Sequence, residues 1–179
     1  MNRGIRNFVI GALVVAAAIA PTAVSPAGAA TEAATVTSVR TVSASTTYVV
    51  NSVLENAVVA LVNTRRVLAG CPVLKSNSYL RASSRKHSRY MAVYNTMSHR
   101  LPGEPTLGRR ITAAGYTNWN RIAENVAAGF TTAQQTMRAW MGSTGHRRNI
   151  LDCSLRHIGV GVVFKGLKPY WTQNFGRRS

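Results

Sequence analysis

His157-Ile158-Gly159-Val160-Gly161-Val162-Val163-Phe164 is the stretch on which the fold turns. Ile158, Val160, Val162 and Phe164 alternate with His157, Gly159, Gly161 and Val163, which is the period of a strand. Gly159 and Gly161 fall on one face and leave room for another backbone or side chain to come close. Lys165 to Pro169 reads as a turn, and Tyr170 to Phe175 returns as a second strand. The rest of the domain carries the helical period, so helices precede a strand pair and the class is α+β, with helices layered on an antiparallel sheet.

Upstream, Leu54, Ala57, Val58, Leu61 and Leu68 recur at helical spacing after a cap at Asn51 or Ser52, and Gly70-Cys71-Pro72 ends that helix. A second helix starts near Ser76 or Asn77 and carries Leu80, Ser84, His87, Met91 and Tyr94 on one face. Pro102, Gly103 and Pro105 make Met97 to Pro105 a loop. A short helix covers Leu107 to Ala114. Another covers Thr132 to Met141, capped by Thr131 or Thr132. Gly145 interrupts, and His146 to Leu151 adds one more turn.

The N-terminal residues have a different character. Arg3 and Arg6 precede an uncharged apolar run, Phe8 to Ala20, which Pro21 breaks, and Ala27-Gly28-Ala29 is a small-residue cleavage pattern. This order is that of a secretory signal peptide over residues 1–29. The run is too short for the roughly 20 apolar residues of a membrane span. Residues 30–47, rich in Ala, Thr, Ser and Val, read as a flexible tether, and residues 48–179 as one domain. The expected location is extracellular.

The chain carries 22 Lys and Arg against 5 Asp and Glu. Without Arg3 and Arg6 the balance is 20 to 5, a net of +15. Such a field draws anionic partners. For an exported chain the nearest are cell-wall polymers and anionic lipid surfaces, and nucleic acid is not expected. The pairs Arg65-Arg66, Arg85-Lys86, Arg109-Arg110 and Arg147-Arg148 lie far apart in sequence, as a simple solubilising bias would also leave them. Cys71 and Cys153 are the only cysteines. In an exported chain they favour a disulfide, closing a loop of about 80 residues worth on the order of 4 kcal/mol in the chain-entropy model.

Candidates for chemistry are few. Beyond the tether the carboxylates are Glu55, Glu104, Glu124 and Asp152, and the histidines are His87, His99, His146 and His157. HExxH, GxSxG and P-loop patterns are absent. No carboxylate spacing supports glycoside cleavage. His99, Glu124 and His146 each sit in a polar segment at or near the end of an element. Two imidazoles and a carboxylate are able to hold a divalent ion such as zinc with an open position, or to act as an acid/base pair. His87 shares the face of Leu80 and Met91 and reads as a hydrogen-bonded core residue, and His157 as structural. Trp140 and Trp171 fit buried faces. Trp119, between Asn118 and Asn120, is a candidate for ligand contact. Arg147 and Asn149 read as braces around His146.

Several motifs run in a recognisable order: Asn63-Thr64-Arg65-Arg66; His87-Ser88 with Met91-Ala92; Ser98-His99; Ala123-Glu124-Asn125-Val126-Ala127; Ala139-Trp140-Met141 through Ser143, Gly145-His146-Arg147 and Asn149-Ile150-Leu151; Gly159-Val160-Gly161-Val162; and Tyr170-Trp171-Thr172-Gln173 with Phe175-Gly176. Over about residues 50–176 the chain resembles a CAP domain, that of the cysteine-rich secretory, antigen 5 and pathogenesis-related 1 proteins, in the compact form of bacterial SCP-like extracellular proteins. The resemblance implies a three-layer α-β-α sandwich around a cavity holding two His and two acidic residues. His99, Glu124 and His146 match three of them. The second acidic position falls on Ser143, with no other carboxylate expected nearby, and Ala123 stands where the family often has Gly. Cys71 and Cys153 match a disulfide of some bacterial members.

Two functions follow. In the favoured one, a monomeric secreted binding protein holds a small ligand or divalent metal in a cavity lined by His99, Glu124, Ser143 and His146, with metal contacts from His99 and His146, and docks its basic surface on envelope material. The alternative is a hydrolase acting on peptides or wall components, in which one His activates water and Glu124 orients it.

Overall fold

A computed structural model describes residues 47–179. The expected signal peptide, and the tether up to residue 46, lie outside the described residues. The elements in chain order are β1 (Tyr48–Val50), α1 (Ser52–Leu68), β2 (Lys75–Ser76), α2 (Ser78–Tyr94), α3 (Leu107–Ala113), β3 (Trp119–Ala128), α4 (Ala133–Gly142), α5 (Thr144–Ile150), β4 (His157–Lys165) and β5 (Lys168–Arg178).

The sheet order is β1-β4-β5-β3, antiparallel throughout, and the short β2 adds parallel to the start of β4. The turn between β4 and β5 is tighter than expected. Lys165 pairs with Lys168 across Gly166 and Leu167, and Pro169 already lies in the strand. Gly166 has φ +58, which a two-residue hairpin turn of this kind requires.

Register assigns the two faces. Ile158, Val160 and Val162 on β4 stand beside Phe175, Gln173 and Trp171 on β5 and Ala123, Asn125 and Ala127 on β3. This face packs on Val58 and Val62 of α1, Met137 and Trp140 of α4, and Ile150 of α5. The opposite face, with Gly159, Gly161, Asn174, Thr172, Glu124 and Val126, is covered by α2 and α3. Helices on both faces of an antiparallel sheet make the α-β-α sandwich.

The glycines of the opening stretch set the spacing of one layer. A Cβ on Gly159 would collide with the backbone at Leu80 and Arg81, and one on Gly161 with that at Ser84 and Arg85. Helix α2 therefore lies with its backbone against β4. Its small polar residues use the proximity: Ser84 Oγ donates to Gly159 O and Ser88 Oγ to Gly161 O, both at 2.9 Å.

Helix caps follow the sequence: Asn51 accepts from Leu54 N, Asn77 from Tyr79 N and Leu80 N, and Thr132 and Gln135 form a capping box. The buried line of α1 differs from the expected one. It runs through Glu55, Val58, Val62 and Arg66, while Leu68 is exposed. Glu55 is fully buried. Its carboxylate takes two bonds from Arg85, at 2.8 and 2.6 Å, and one from Val162 N, which lies on the β4 edge between the stretches paired by β1 and β2. Arg66, also fully buried, donates to the carbonyls of Pro72, Ile150, Asp152 and Leu155. Burial holds its pKa below the ordinary guanidinium value. The Cys71–Cys153 disulfide joins the same two segments across a sequence separation of 82.

The close seating of α2 gives a test. Gly159→Ala is expected to lower stability by about 1–3 kcal/mol or more, because backbone and not a flexible side chain must yield. Gly142→Ala, where an added Cβ meets nothing within 4 Å, leaves the urea midpoint unchanged or raised.

Candidate functional site

Four segments converge at the β3 edge of the sheet. Glu124 lies mid-strand in β3, not at an element end as expected, and faces α2 and α3. His99 comes from the loop after α2. Ser143 is the junction between α4 and α5, and His146 is the third residue of α5, which begins at Thr144 and so includes Gly145. His99, Glu124, Ser143 and His146 line one cleft of 340 Å3 with Gly145, Arg148 and Asn149. All four expected site residues are thus brought together.

Glu124 is almost fully buried, and both its oxygens are engaged. Oε1 accepts from His99 Nδ1 at 3.0 Å, and Oε2 accepts from Arg110 Nη2 at 2.9 Å. Arg110 Nη2 also donates to His99 O at 3.0 Å, so one guanidinium fixes both the carboxylate and the loop that carries its imidazole partner. The hydrogen bond to Glu124 raises the His99 pKa above 6.5, against the opposing effects of burial and Arg110. His146 moves the other way: burial lowers its pKa, and His99 adds to the effect. Its Nδ1 is buried and has no hydrogen-bond partner among the described residues. The Ser143 hydroxyl makes no hydrogen bond among the described residues.

The expectation that no other carboxylate lies near is corrected. Glu104 stands behind Glu124, 2% exposed. Its Oε1 accepts from His87 Nδ1 at 2.7 Å and lies 3.5 Å from Arg110 Nη1, and its Oε2 accepts from Leu101 N. His87 Nε2 is 2.9 Å from Ser98 O and 4.0 Å from Glu124 Oε1. Both ring nitrogens of His87 lie within hydrogen-bond distance of oxygen atoms. His87 is the buried, hydrogen-bonded residue expected, but it bridges to the site. The spacing of His99 and Glu104, five residues apart around Pro102-Gly103, carried no signal for this by itself.

The remaining assignments are readily placed. Arg147 Nη1 donates to Met141 O and braces the α4–α5 junction, and Asn149 Nδ2 donates to Glu124 O and Asn125 Oδ1 and ties α5 to β3. Trp140 and Trp171 are buried, with indole N–H groups on Val126 O and Phe130 O. His157 Nδ1 lies 2.9 Å from Tyr116 Oη, a structural contact. Trp119 is half-buried over Gly108 and donates to Thr112 Oγ1; it is not among the residues lining the cleft.

Zinc accepts imidazole nitrogen, but catalytic sites use three protein ligands. Here Glu124 is committed to His99 and Arg110, and Ser143 replaces a carboxylate, leaving two imidazoles. Among the described residues no group of three or more His, Cys, Asp or Glu is arranged to hold a metal ion. The residues present do not fit a tightly held metal.

The fold and this cleft define an SCP-type domain. The family model CAP, "Cysteine-rich secretory protein family", matches residues 59–175, and the chain belongs to that family. Among its relatives, the uncharacterized protein YkwD of Bacillus subtilis is 36% identical over 69% of this chain and 47% of its own length. The B. subtilis membrane protein YlbC, also uncharacterized, is 29% identical over 72% of this chain and 36% of its own. The chain thus spans less than half of the curated relatives it matches. An extracellular protein containing an SCP domain from Bacillus anthracis has a similar structure (TM-score 0.66, 29% identity, 71% of this chain and 41% of that one). An outer surface protein of Borrelia burgdorferi shares the fold (TM-score 0.64, 18% identity, 69% and 92%). Among the described residues no helix is long and apolar enough to cross a membrane.

The opposed shifts of the two histidines are measurable. In an NMR titration His99 is expected to titrate above 6.5 and His146 below it. Glu124→Gln returns His99 towards 6.5. By linkage the His99–Glu124 pair contributes its full stability below pH 6.5 and loses it as pH rises through the raised His99 value. The depressed His146 works against folding as pH falls below 6.5.

Proposed function

We propose that this chain is an extracellular binding module whose cleft takes a small polar ligand and whose basic surface contacts anionic envelope material. One observation carries the reading: the Glu124 carboxylate is consumed within the protein, while His99, the Ser143 hydroxyl, the unpartnered His146 Nδ1 and Arg148 remain around the cleft. That set supplies donors and positive charge to a ligand bearing acceptors. It lacks a free carboxylate for a metal or for general-base work.

The basic surface supports the second half. The described residues hold four carboxylate side chains, and each is paired internally: Glu55 with Arg85, Glu104 with His87, Glu124 with Arg110 and His99, and Asp152 with Arg121. Little negative charge remains on the outside to offset the other cations.

The hydrolase reading draws on the His99–Glu124 hydrogen bond, which orients one imidazole as an acid/base group would need. Elemental analysis and binding separate the two. The purified protein is expected to carry zinc well below one equivalent and to show no peptide or wall hydrolysis. Binding to wall polymer or anionic vesicles falls steeply between low and high salt. Stoichiometric zinc, lost in His99→Ala and His146→Ala together with a hydrolytic activity, supports the enzyme instead. Salt-independent envelope binding overturns the electrostatic docking.

A further inference from the structure

A second concavity lies on the other side of Arg110, away from the histidine cleft. It is a 240 Å3 pocket between α2, the loop before α3, and α3. This is below the roughly 300–1,000 Å3 of drug-sized pockets, so an occupant is small. Ala82, Pro105 and Ala113 give it apolar walls, and Lys86 and Arg109 are exposed at its border. Neither cation makes an ion pair or hydrogen bond among the described residues.

Inside, the polar groups are incomplete. The Arg110 side chain is 5% exposed and lines the pocket. Its Nη2 is committed to Glu124 and His99 O and its Nη1 is ion-paired with Glu104 Oε1 at 3.5 Å, whereas Nε is buried with no hydrogen-bond or ion-pair partner among the described residues. A buried charged donor left unpaired, as Nε is, is costly. Ser83 Oγ, also in the lining, accepts from Asn174 Nδ2 at 3.3 Å, which leaves its O–H able to donate. Glu104 borders the pocket too, but its oxygens are held by His87 Nδ1, Leu101 N and Arg110 Nη1. The unmet capacity is therefore one of donors, flanked by unpaired cations and backed by methyl groups.

We propose that this pocket binds a compact monocarboxylate with an apolar body, its carboxylate drawn by Lys86 and Arg109 and accepting from Arg110 Nε and the Ser83 hydroxyl. The anion completes the guanidinium's hydrogen bonds, and the apolar body covers Ala82 and Ala113. The site is separate from the cleft of His99 and His146.

The test uses isothermal titration of the intact protein with three probes of one shape: benzoate, benzyl alcohol and benzylamine. Benzoate is expected to bind at least tenfold more tightly than either of the others, and more weakly as salt rises. Lys86→Gln with Arg109→Gln weakens benzoate several-fold and flattens the salt dependence. Ala82→Trp, which fills the pocket from an exposed position, abolishes binding; Ala113→Trp serves the same purpose should the first variant fold poorly. His146→Ala leaves benzoate affinity unchanged, and amide NMR shifts on benzoate addition centre on Ser83, Arg110 and Ala113. Equal affinity for benzoate and benzyl alcohol overturns the proposal. So does benzoate binding that survives both filling variants, or that is lost in His146→Ala with shifts centred on residues 143–149.

Discussion

The approach of α2 to β4 is the constraint on which the rest depends. With no side chain at Gly159 and Gly161, the helix backbone meets the strand directly, and Ser84 and Ser88 convert the contact into hydrogen bonds to strand carbonyls. A helix held that close projects its next inward residues across the sheet. His87, one turn beyond Ser84 and Ser83, then reaches over β5 towards β3 and meets the loop carrying Glu104 and Ser98. Without the two glycines the helix would stand off, and His87 would not bridge the two carboxylates. Position in the core thus creates position in the site.

From His87 the order passes to Arg110. Two carboxylates buried within reach of one imidazole would repel each other strongly in so dry a place. A guanidinium between them, with Nη1 near Glu104 and Nη2 on Glu124, relieves that repulsion and fixes the loop at His99 O. This explains why Glu124 ends up as an orienting group for His99 and not as an open ligand. The cleft that results is bordered by donors. The pocket behind it is lined by the same guanidinium, whose Nε has no hydrogen-bond partner among the described residues, so both concavities draw on one side chain.

The strand pair at the chain's end, the helix caps at Asn51, Asn77 and Thr132, and the disulfide could be read from residue order, because each depends on local chemistry or on a count. Strand β3 could not. Its residues face helices on both sides and include Glu124 on one face and Asn125 on the other, so neither the two-residue alternation nor an apolar run marks it. The inner line of α1 was hidden for a related reason. Glu55 and Arg66 occupy its ends, and hydrophobic spacing points past them to Leu68, which is exposed. The site was legible through family motifs as far as His99, Glu124, Ser143 and His146. Glu104, His87 and Arg110 were not, because their roles arise from contacts among segments distant in sequence.

The same hidden pairings change the meaning of the charge. Among residues 47–179 there are 19 Lys and Arg, the chain's 22 less Arg3, Arg6 and Arg40, against four carboxylate side chains. As bare composition this looks like scattered solubilising charge. In the folded molecule Arg66 and Arg110, one from each of two doublets, turn inward to carbonyls and carboxylates, and Arg85 closes on Glu55. The carboxylates are consumed in the same contacts, three of them inside and Asp152 at the base of β4 by Arg121. What is left outside is close to single-signed. A solubilising surface would intersperse both signs; one that keeps its carboxylates inside presents a long-range attraction to anions. The burial of Glu55, Glu104 and Glu124 thus leaves the exposed charge of the described residues predominantly positive.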